Sequence, residues 1–339
     1  MLRVAVYGAS GYTGLELLKL LARHPHAQVT AVTTRQEDTP TLEQVHPQLT
    51  GLFDLWLEQL TADEVAQRAD VAFTCLPHAA SAEVVKELVD RGLRVIDLSA
   101  DYRLTDRAIY EHWYGVTHPD PERLTTTPYG LPELFREEIR GAKLVANPGC
   151  YPTAAILGLA PLLRAGLIET SGIVIDAKSG VSGAGRNPKQ HLHFPECNEN
   201  LSPYGVGTHR HMPEIDQVLS RVAGGRSGAV EVVFTPHLVP MDRGEMCTSY
   251  ALPAADVTTE SLNAALHAAY DNEPFISVVQ TPPGTKDVAH SNRCHVYTRL
   301  VRGRVIVVSV IDNLIKGASG AAIQNFNLMH GLDETIALR

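Results

Sequence analysis

The sequence of 339 residues holds only five cysteines, at positions 75, 150, 197, 247 and 294, and no Cys-x-x-Cys pair. An odd number at such spacings argues against a disulfide framework and a structural zinc site. It fits a reducing, cytoplasmic compartment. Apolar runs are short too: none reaches the ~18 residues of a membrane span without polar interruption. The opening "MLRVAVYGASG" runs straight into a strand and a glycine turn, without the layout of a secretory signal. Positive charge is in deficit, 29 Lys and Arg against 38 Asp and Glu, for a formal net charge of −9. That disfavours a nucleic-acid or anionic-membrane partner but leaves room for a local basic pocket that takes a small anion. Internal repeats and low-complexity linkers are lacking.

What is present reads as two domains of a soluble α/β protein. Residues 1–149 alternate strand-like runs, "RVAVYG", "AQVTAVTT", "ADVAFTCLP", "LRVIDLSA" and "AKLVANPG", with helical ones, "GLELLKLLARHP" and "AASAEVVKELVDRG". This alternation predicts a doubly wound parallel sheet. From residue 150 the pattern changes. Strands are predicted at "GIVIDAKSG", "VEVVFTPHLVP", "MCTSYAL", "CHVYTRL" and "RVIVVSVID", with helices near Pro213 and over "TTESLNAALHAAYDN". Neighbouring strands with few helices imply a mixed or antiparallel sheet in an α+β domain. A helical tail follows at "KGASGAAIQNFNLMHGL".

"GASGYTG" places glycines at 8, 11 and 14 between a strand and a helix. Gly8 permits the tight turn, Gly11 lets a phosphate approach the backbone, and Gly14 allows close helix packing. Free N–H groups at the helix start, over Ser10, Tyr12 and Thr13, face a diphosphate. The other reading is a plain tight turn. At the end of the second strand stand Thr33, Thr34 and Arg35, where a carboxylate would select a free ribose. Hydroxyls and a guanidinium suit a 2′-phosphate, so NADP(H) is expected.

In "NPGCYPTAAILGLAPLL", Pro152 suits the first position of a helix, which puts Cys150 just before it. The positive end of the helix dipole lowers a thiol pKa there. The alternative is a buried structural cysteine. Pro161 is expected to kink or split this helix. "GTHRHMPEI" offers His209 and His211 as bases, and Arg210 as a fork for a phosphate or carboxylate. In an extended segment the two histidines point to opposite faces. No metal is expected, because His-x-His lacks a Cys, Asp or Glu partner at a characteristic spacing. "SGVSGAGR" is a second glycine loop whose N–H groups and Ser182 hold an anion or, alternatively, a flexible turn. Among the cysteines, only Cys197 rivals Cys150 as a nucleophile.

"GASGYTG", "DLSADYRL", "NPGCYPTA", "SGVSGAGR", "PYGVGTHRHMPEI" and "DNLIKGASG" occur in the order of one family. Across essentially its whole length the chain resembles the N-acetyl-γ-glutamyl-phosphate reductases, within the aspartate-semialdehyde dehydrogenase-like group. The resemblance implies a Rossmann domain over 1–149, joined by the C-terminal helix 316–339. It implies a catalytic and oligomerisation domain over 150–315, and a homo-oligomer, dimer or tetramer. It also implies NADPH-dependent reduction of an acyl phosphate to a semialdehyde through a Cys150 thioester, in arginine biosynthesis. His209 and His211 become the acid–base candidates, and Arg103, Asn147 and Arg210 substrate ligands. Ser182, Gly183, Asn313 and Gly317 become cofactor contacts beside the first glycine turn. Two alternatives stay open: a carrier-bound aminoadipyl phosphate of lysine biosynthesis as substrate, and a dehydrogenase with no covalent step.

Overall fold

The computed structural model describes residues 1–34, 38–224 and 228–339. They form two compact units, Met1–Pro148 with Ala318–Arg339, and Gly149–Gly317.

The first unit is built on six parallel strands: β1 (Leu2–Tyr7), β2 (Ala27–Thr33), β3 (Leu57–Glu58), β4 (Val71–Thr74), β5 (Arg94–Asp97) and β6 (Leu144–Ala146). Their order is β3-β2-β1-β4-β5-β6, the doubly wound dinucleotide-binding arrangement. The strands read as near-continuous apolar runs because both faces are covered: all four residues of β4 are buried. The helix Tyr12–Ala22 buries Leu15, Leu17, Leu18, Leu20 and Leu21. The C-terminal helix Gly320–Met329 has every residue buried, so it belongs to the core of this unit. Its Phe326 packs on Phe73 of β4 and on His24, with ring centroids 5.7 and 5.2 Å apart. Each of its three large polar side chains has a partner. Asn325 Nδ2 donates to Gly130 O (2.8 Å) and Asn147 Oδ1 (3.0 Å), Gln324 Nε2 to Glu334 (2.8 Å), and Asn327 Oδ1 meets His24 Nε2 at 2.8 Å.

The second unit holds a seven-stranded mixed sheet. Its strands are β7 (Ile173–Gly180), β8 (Ser202–Pro203), β9 (Val232–Val239), β10 (Glu245–Ala251), β11 (Ile276–Val278), β12 (Cys294–Val301) and β13 (Arg304–Ile311). The order is β11-β12-β13-β10-β7-β9-β8, with β7–β9 and β11–β12 parallel and the other pairs antiparallel. Burial alternates along β7 and β10, the signature of one covered face. The helices Cys150–Arg164, Met212–Ala223 and Thr259–Tyr270 belong to the same unit. Gly158 lets the first of them lie close on the sheet, since a Cβ there would stand 3.0 Å from Val307 Cγ1. On the other face Val174, in register with both Val233 and Tyr250, begins an exposed apolar strip.

The helix after the cysteine differs from expectation in two ways. It begins at Cys150 itself, with Gly149 as its N-cap, so Pro152 occupies the third position. It also runs unbroken through Pro161 to Arg164. The carbonyl orphaned by the missing N–H is that of Leu157, and the buried Tyr270 hydroxyl donates to it at 2.6 Å. A side chain from another helix thus takes the place of the missing bond, and the helix continues past the proline without splitting. Replacing Tyr270 with Phe should cost about 1–3 kcal/mol, read as a lower urea midpoint with an unchanged m-value; an unchanged midpoint would remove this account.

Candidate active site

In the first unit, the glycine turn has the geometry a dinucleotide needs. Gly8 has φ +69°, and a Cβ there would overlap the Cys75 carbonyl. A Cβ on Gly14 would stand 2.8 Å from the Ala9 backbone. At Gly11, the N-cap, the nearest atom to a Cβ is 3.7 Å away and no side chain caps the helix. The first helical N–H groups, over Tyr12 and Thr13, follow an open backbone step, which fits a pyrophosphate. Ser10 lies in the turn itself, partly exposed. The buried His46 bonds the Ala9 carbonyl at 2.8 Å and Ser319 Oγ bonds Thr13 O at 2.8 Å, so the turn is braced from two sides. Thr34 follows β2, its N–H bonded to Glu58 O at 3.0 Å. Arg35 lies outside the described residues.

Cys150 is the first residue of its helix and is partly exposed. Gly149 turns the chain in extended conformation and its N–H donates to Glu214 Oε1 at 2.9 Å. Glu214 is itself buried in the helix Met212–Ala223. Thr153 Oγ1 donates to Gly149 O at 2.8 Å. Gly317 passes so close that a Cβ would come within 2.8 Å of Cys150 Cβ. The helix dipole favours thiolate at this position. The other thiols differ. Burial pushes Cys75 and Cys247 up, and Cys294 is buried in β12. Cys197, at the end of the short helix Phe194–Cys197, lacks a long helix behind it.

The two histidines do not point to opposite faces. Residues 205–211 form turns, not a strand. The His211 N–H donates to His209 Nδ1 at 3.2 Å, and the two rings stand edge to face at 4.8 Å. Both rings pack on Tyr151, the residue after the cysteine, at 5.8 and 6.0 Å. Burial, reinforced by the Arg210 charge, pushes His209 down to about 4. His209 is therefore a neutral imidazole near pH 7, with Nδ1 accepting and Nε2 left to carry the proton. Arg210 is exposed.

The other sequence-predicted residues take specific places. Ser182 and Gly183 lie in a 3₁₀ turn, Val181–Ala184. Asn313 clamps it: Nδ2 donates to Ser182 Oγ at 3.0 Å while Oδ1 accepts from Gly244 N at 2.9 Å. Gly183 approaches the same group, a Cβ there standing 3.6 Å from Asn313 Nδ2. In the first unit, Arg103 is buried and donates to the carbonyls of Asn147 (2.8 Å) and Leu98 (2.9 Å). Asn147 is likewise buried, its Nδ2 on Ala318 O at 3.1 Å. Both spend hydrogen bonds on holding the ends of β5 and β6.

Four residues near the cysteine escaped the sequence reading: Tyr151, Tyr204, Glu214 and Glu245. Tyr204 OH bonds Tyr151 OH at 3.2 Å, and Tyr151 OH donates to His237 O at 3.2 Å. Glu245 opens β10 with no exposure at all. Only Glu214 carried a signal, three residues beyond His211 in "HRHMPEI".

A glycine turn suited to a pyrophosphate and a cysteine at a helix mouth define a semialdehyde-dehydrogenase type of protein. Family models agree: the NAD binding domain of semialdehyde dehydrogenase matches residues 3–142, and its dimerisation domain residues 150–313. The fold is shared with aspartate semialdehyde dehydrogenase II of Vibrio cholerae complexed with ASA, TM-score 0.73 over 98% of both chains at 17% identity. It is shared too with the Candida albicans enzyme with NADP, TM-score 0.68 over 99% of both at 16% identity. Two relatives of higher identity carry one name, N-acetyl-gamma-glutamyl-phosphate reductase. That of Rhodopirellula baltica is 51% identical over 99% of this chain and 98% of its own. That of Moorella thermoacetica is 50% identical over 100% and 98%. The chain belongs to the N-acetyl-gamma-glutamyl-phosphate reductase family.

The suppressed pKa of His209 predicts a stability slope. An unfolded histidine titrates near 6.5 and the folded one near 4. Between these values the unfolded chain binds the extra proton, so stability falls as pH drops from 6.5 toward 4. The loss from this residue is about 2–3 kcal/mol. Denaturant unfolding at pH 7 and pH 4.5 should show a smaller drop in His209→Gln than in the natural chain; equal drops would refute it.

Proposed function

We propose that the protein reduces N-acetyl-γ-glutamyl phosphate to N-acetylglutamate 5-semialdehyde and phosphate, with NADP(H), through a thioester on Cys150. One observation carries the reading: in this family member a cysteine begins a long buried helix with two histidines packed on the adjacent residue. The compartment is the cytoplasm, where the five free thiols stay reduced. No helix among the described residues is long and apolar enough to cross a membrane.

The Cys150 thiolate attacks the acyl carbon. The bond from that carbon to the phosphate oxygen breaks, phosphate leaves, and a thioester remains. Arg210, exposed beside the histidines, and Arg103 are the candidates to receive substrate anions. When bound, a nicotinamide dinucleotide would supply the hydride that the thioester needs. Gly8, Ser10, Gly11, Tyr12, Thr13 and Gly14 would hold its diphosphate, and Thr34 and Arg35 its 2′-phosphate. Ser182, Gly183, Asn313 and Gly317 are further contacts in this reading. The backbone N–H groups at the start of the cysteine helix stabilise the hemithioacetal oxyanion. Neutral His209, or His211 beside it, donates to the same oxygen. The carbon–sulfur bond then breaks, the semialdehyde leaves, and Cys150 is regenerated. A homodimer is formed by the second unit, and the strip of Val174, Val233 and Tyr250, all more than a third exposed, is the apolar surface such a contact would bury.

Cys150→Ser should abolish phosphate-dependent NADP reduction by N-acetylglutamate semialdehyde, by on the order of 10⁴-fold or more, while NADPH still binds. Comparable turnover would favour a dehydrogenase with no covalent step. Turnover with carrier-bound aminoadipate semialdehyde alone would move the substrate to lysine biosynthesis. Arg35→Asp should weaken NADPH binding by roughly 10- to 100-fold and NADH binding far less, because one charge-assisted contact is lost; equal losses would return the cofactor to an undivided NAD(P).

A further inference from the structure

We propose that Glu245 is an additional acid–base residue of this site, its carboxylate taking the thiol proton of Cys150 so that the two side chains share one proton and one negative charge. This rests on the thioester reading above. The placement follows from the strand. Cys247, two residues on and therefore on the same face of β10, points its sulfur at the Tyr151 carbonyl, 3.9 Å away. Glu245 is one strand step nearer the mouth of the helix, toward Cys150. It is wholly buried, and neither oxygen has a partner of full hydrogen-bond geometry among the described residues. A buried, unpaired carboxylate at a reactive centre needs an account, because the interior charges heavily for one.

The group drawn toward Glu245 is the Cys150 thiol. Burial pushes the Glu245 carboxyl up to about 8, opposed by that thiol as a donor and aided by Asp312. Raised that far, the ionised form of Glu245 is a much stronger base than an exposed carboxylate. An ordinary exposed glutamate is far too weak a base to compete with a thiol. The other titratable groups that face the carboxylate are Tyr151 of the cysteine helix, Tyr204 in the turn before the histidines, and Cys247 of its own strand. Its neighbours across the sheet, Ser179 of β7 and Ile311 of β13, do not titrate. The step is balanced: the S–H bond breaks, an O–H bond forms on Glu245, and the charge passes to sulfur. When the carbon–sulfur bond of the hemithioacetal breaks, sulfur takes the proton back and Glu245 is again a carboxylate. The neutral His209 is then free to serve the substrate oxygen.

Alkylation of Cys150 by iodoacetamide, followed by peptide mass against pH, tests the pair without substrate or dinucleotide. The natural chain should show two ionisation steps, since two coupled groups release protons in sequence. Glu245→Gln, close in shape, should show one step and roughly tenfold or slower alkylation at pH 7. Glu245→Asp should retain the two steps. A single step in the natural chain overturns the proposal, and that measurement needs no variant to fold. Identical rates and profiles in Glu245→Gln overturn it as well. Failure here leaves the Cys150→Ser turnover result untouched, so the pair and the thioester are judged separately.

Discussion

The hydrogen bond from Gly149 N–H to the buried Glu214 carboxylate, 2.9 Å long, is the constraint on which the candidate site depends. A helix start leaves N–H groups without intrahelical partners, and burying them unmet is costly. Glu214 meets one of them from the helix that the His-Arg-His turn leads into. That one bond therefore ties the mouth of the cysteine helix to the segment carrying both histidines. Packing of both histidine rings on Tyr151 joins the same two segments a second time.

Polar groups are used in the same way elsewhere. In the first unit, the wholly buried C-terminal helix carries Gln324, Asn325 and Asn327, each with a partner. Asn147, which immediately precedes the Pro-Gly turn, is held by Ala318 O and Asn325. In the second unit, Asn313 clamps Gly244 and Ser182. Residues that look like ligands in a sequence are here partly structural, and this sets what remains for binding. Arg103 spends donors on two carbonyls, whereas Arg210 stands exposed.

Much of this architecture was legible residue by residue. Five of the six parallel strands of the first unit show as apolar runs because both faces are buried, and only two-residue β3 leaves no pattern. Gly8 and Gly14 were readable because their requirement is local: a positive φ in one case, a close backbone in the other. β8 and β11, two and three residues long, are too short to show a period. The orientation of His209 and His211 was misread, because spacing predicts faces only for a regular element and this segment is a turn. Pro161 does not split its helix, for a different reason: the missing hydrogen bond is supplied by Tyr270, 109 residues away in sequence.

The sequence by itself determined the order of strands and helices, the glycine turn and the cysteine at a helix mouth. Those features follow from φ/ψ limits, hydrophobic period and capping, all of which act within a few residues. Tertiary structure alone decided which groups surround the sulfur. Glu214, Glu245, Tyr204 and Gly317 come from four separate segments, and only folding brings such distant positions to Cys150. It alone decided their protonation as well. A neutral His209 and a weakly acidic Glu245 owe their states to burial, and burial is a property of the packed chain rather than of any stretch of it.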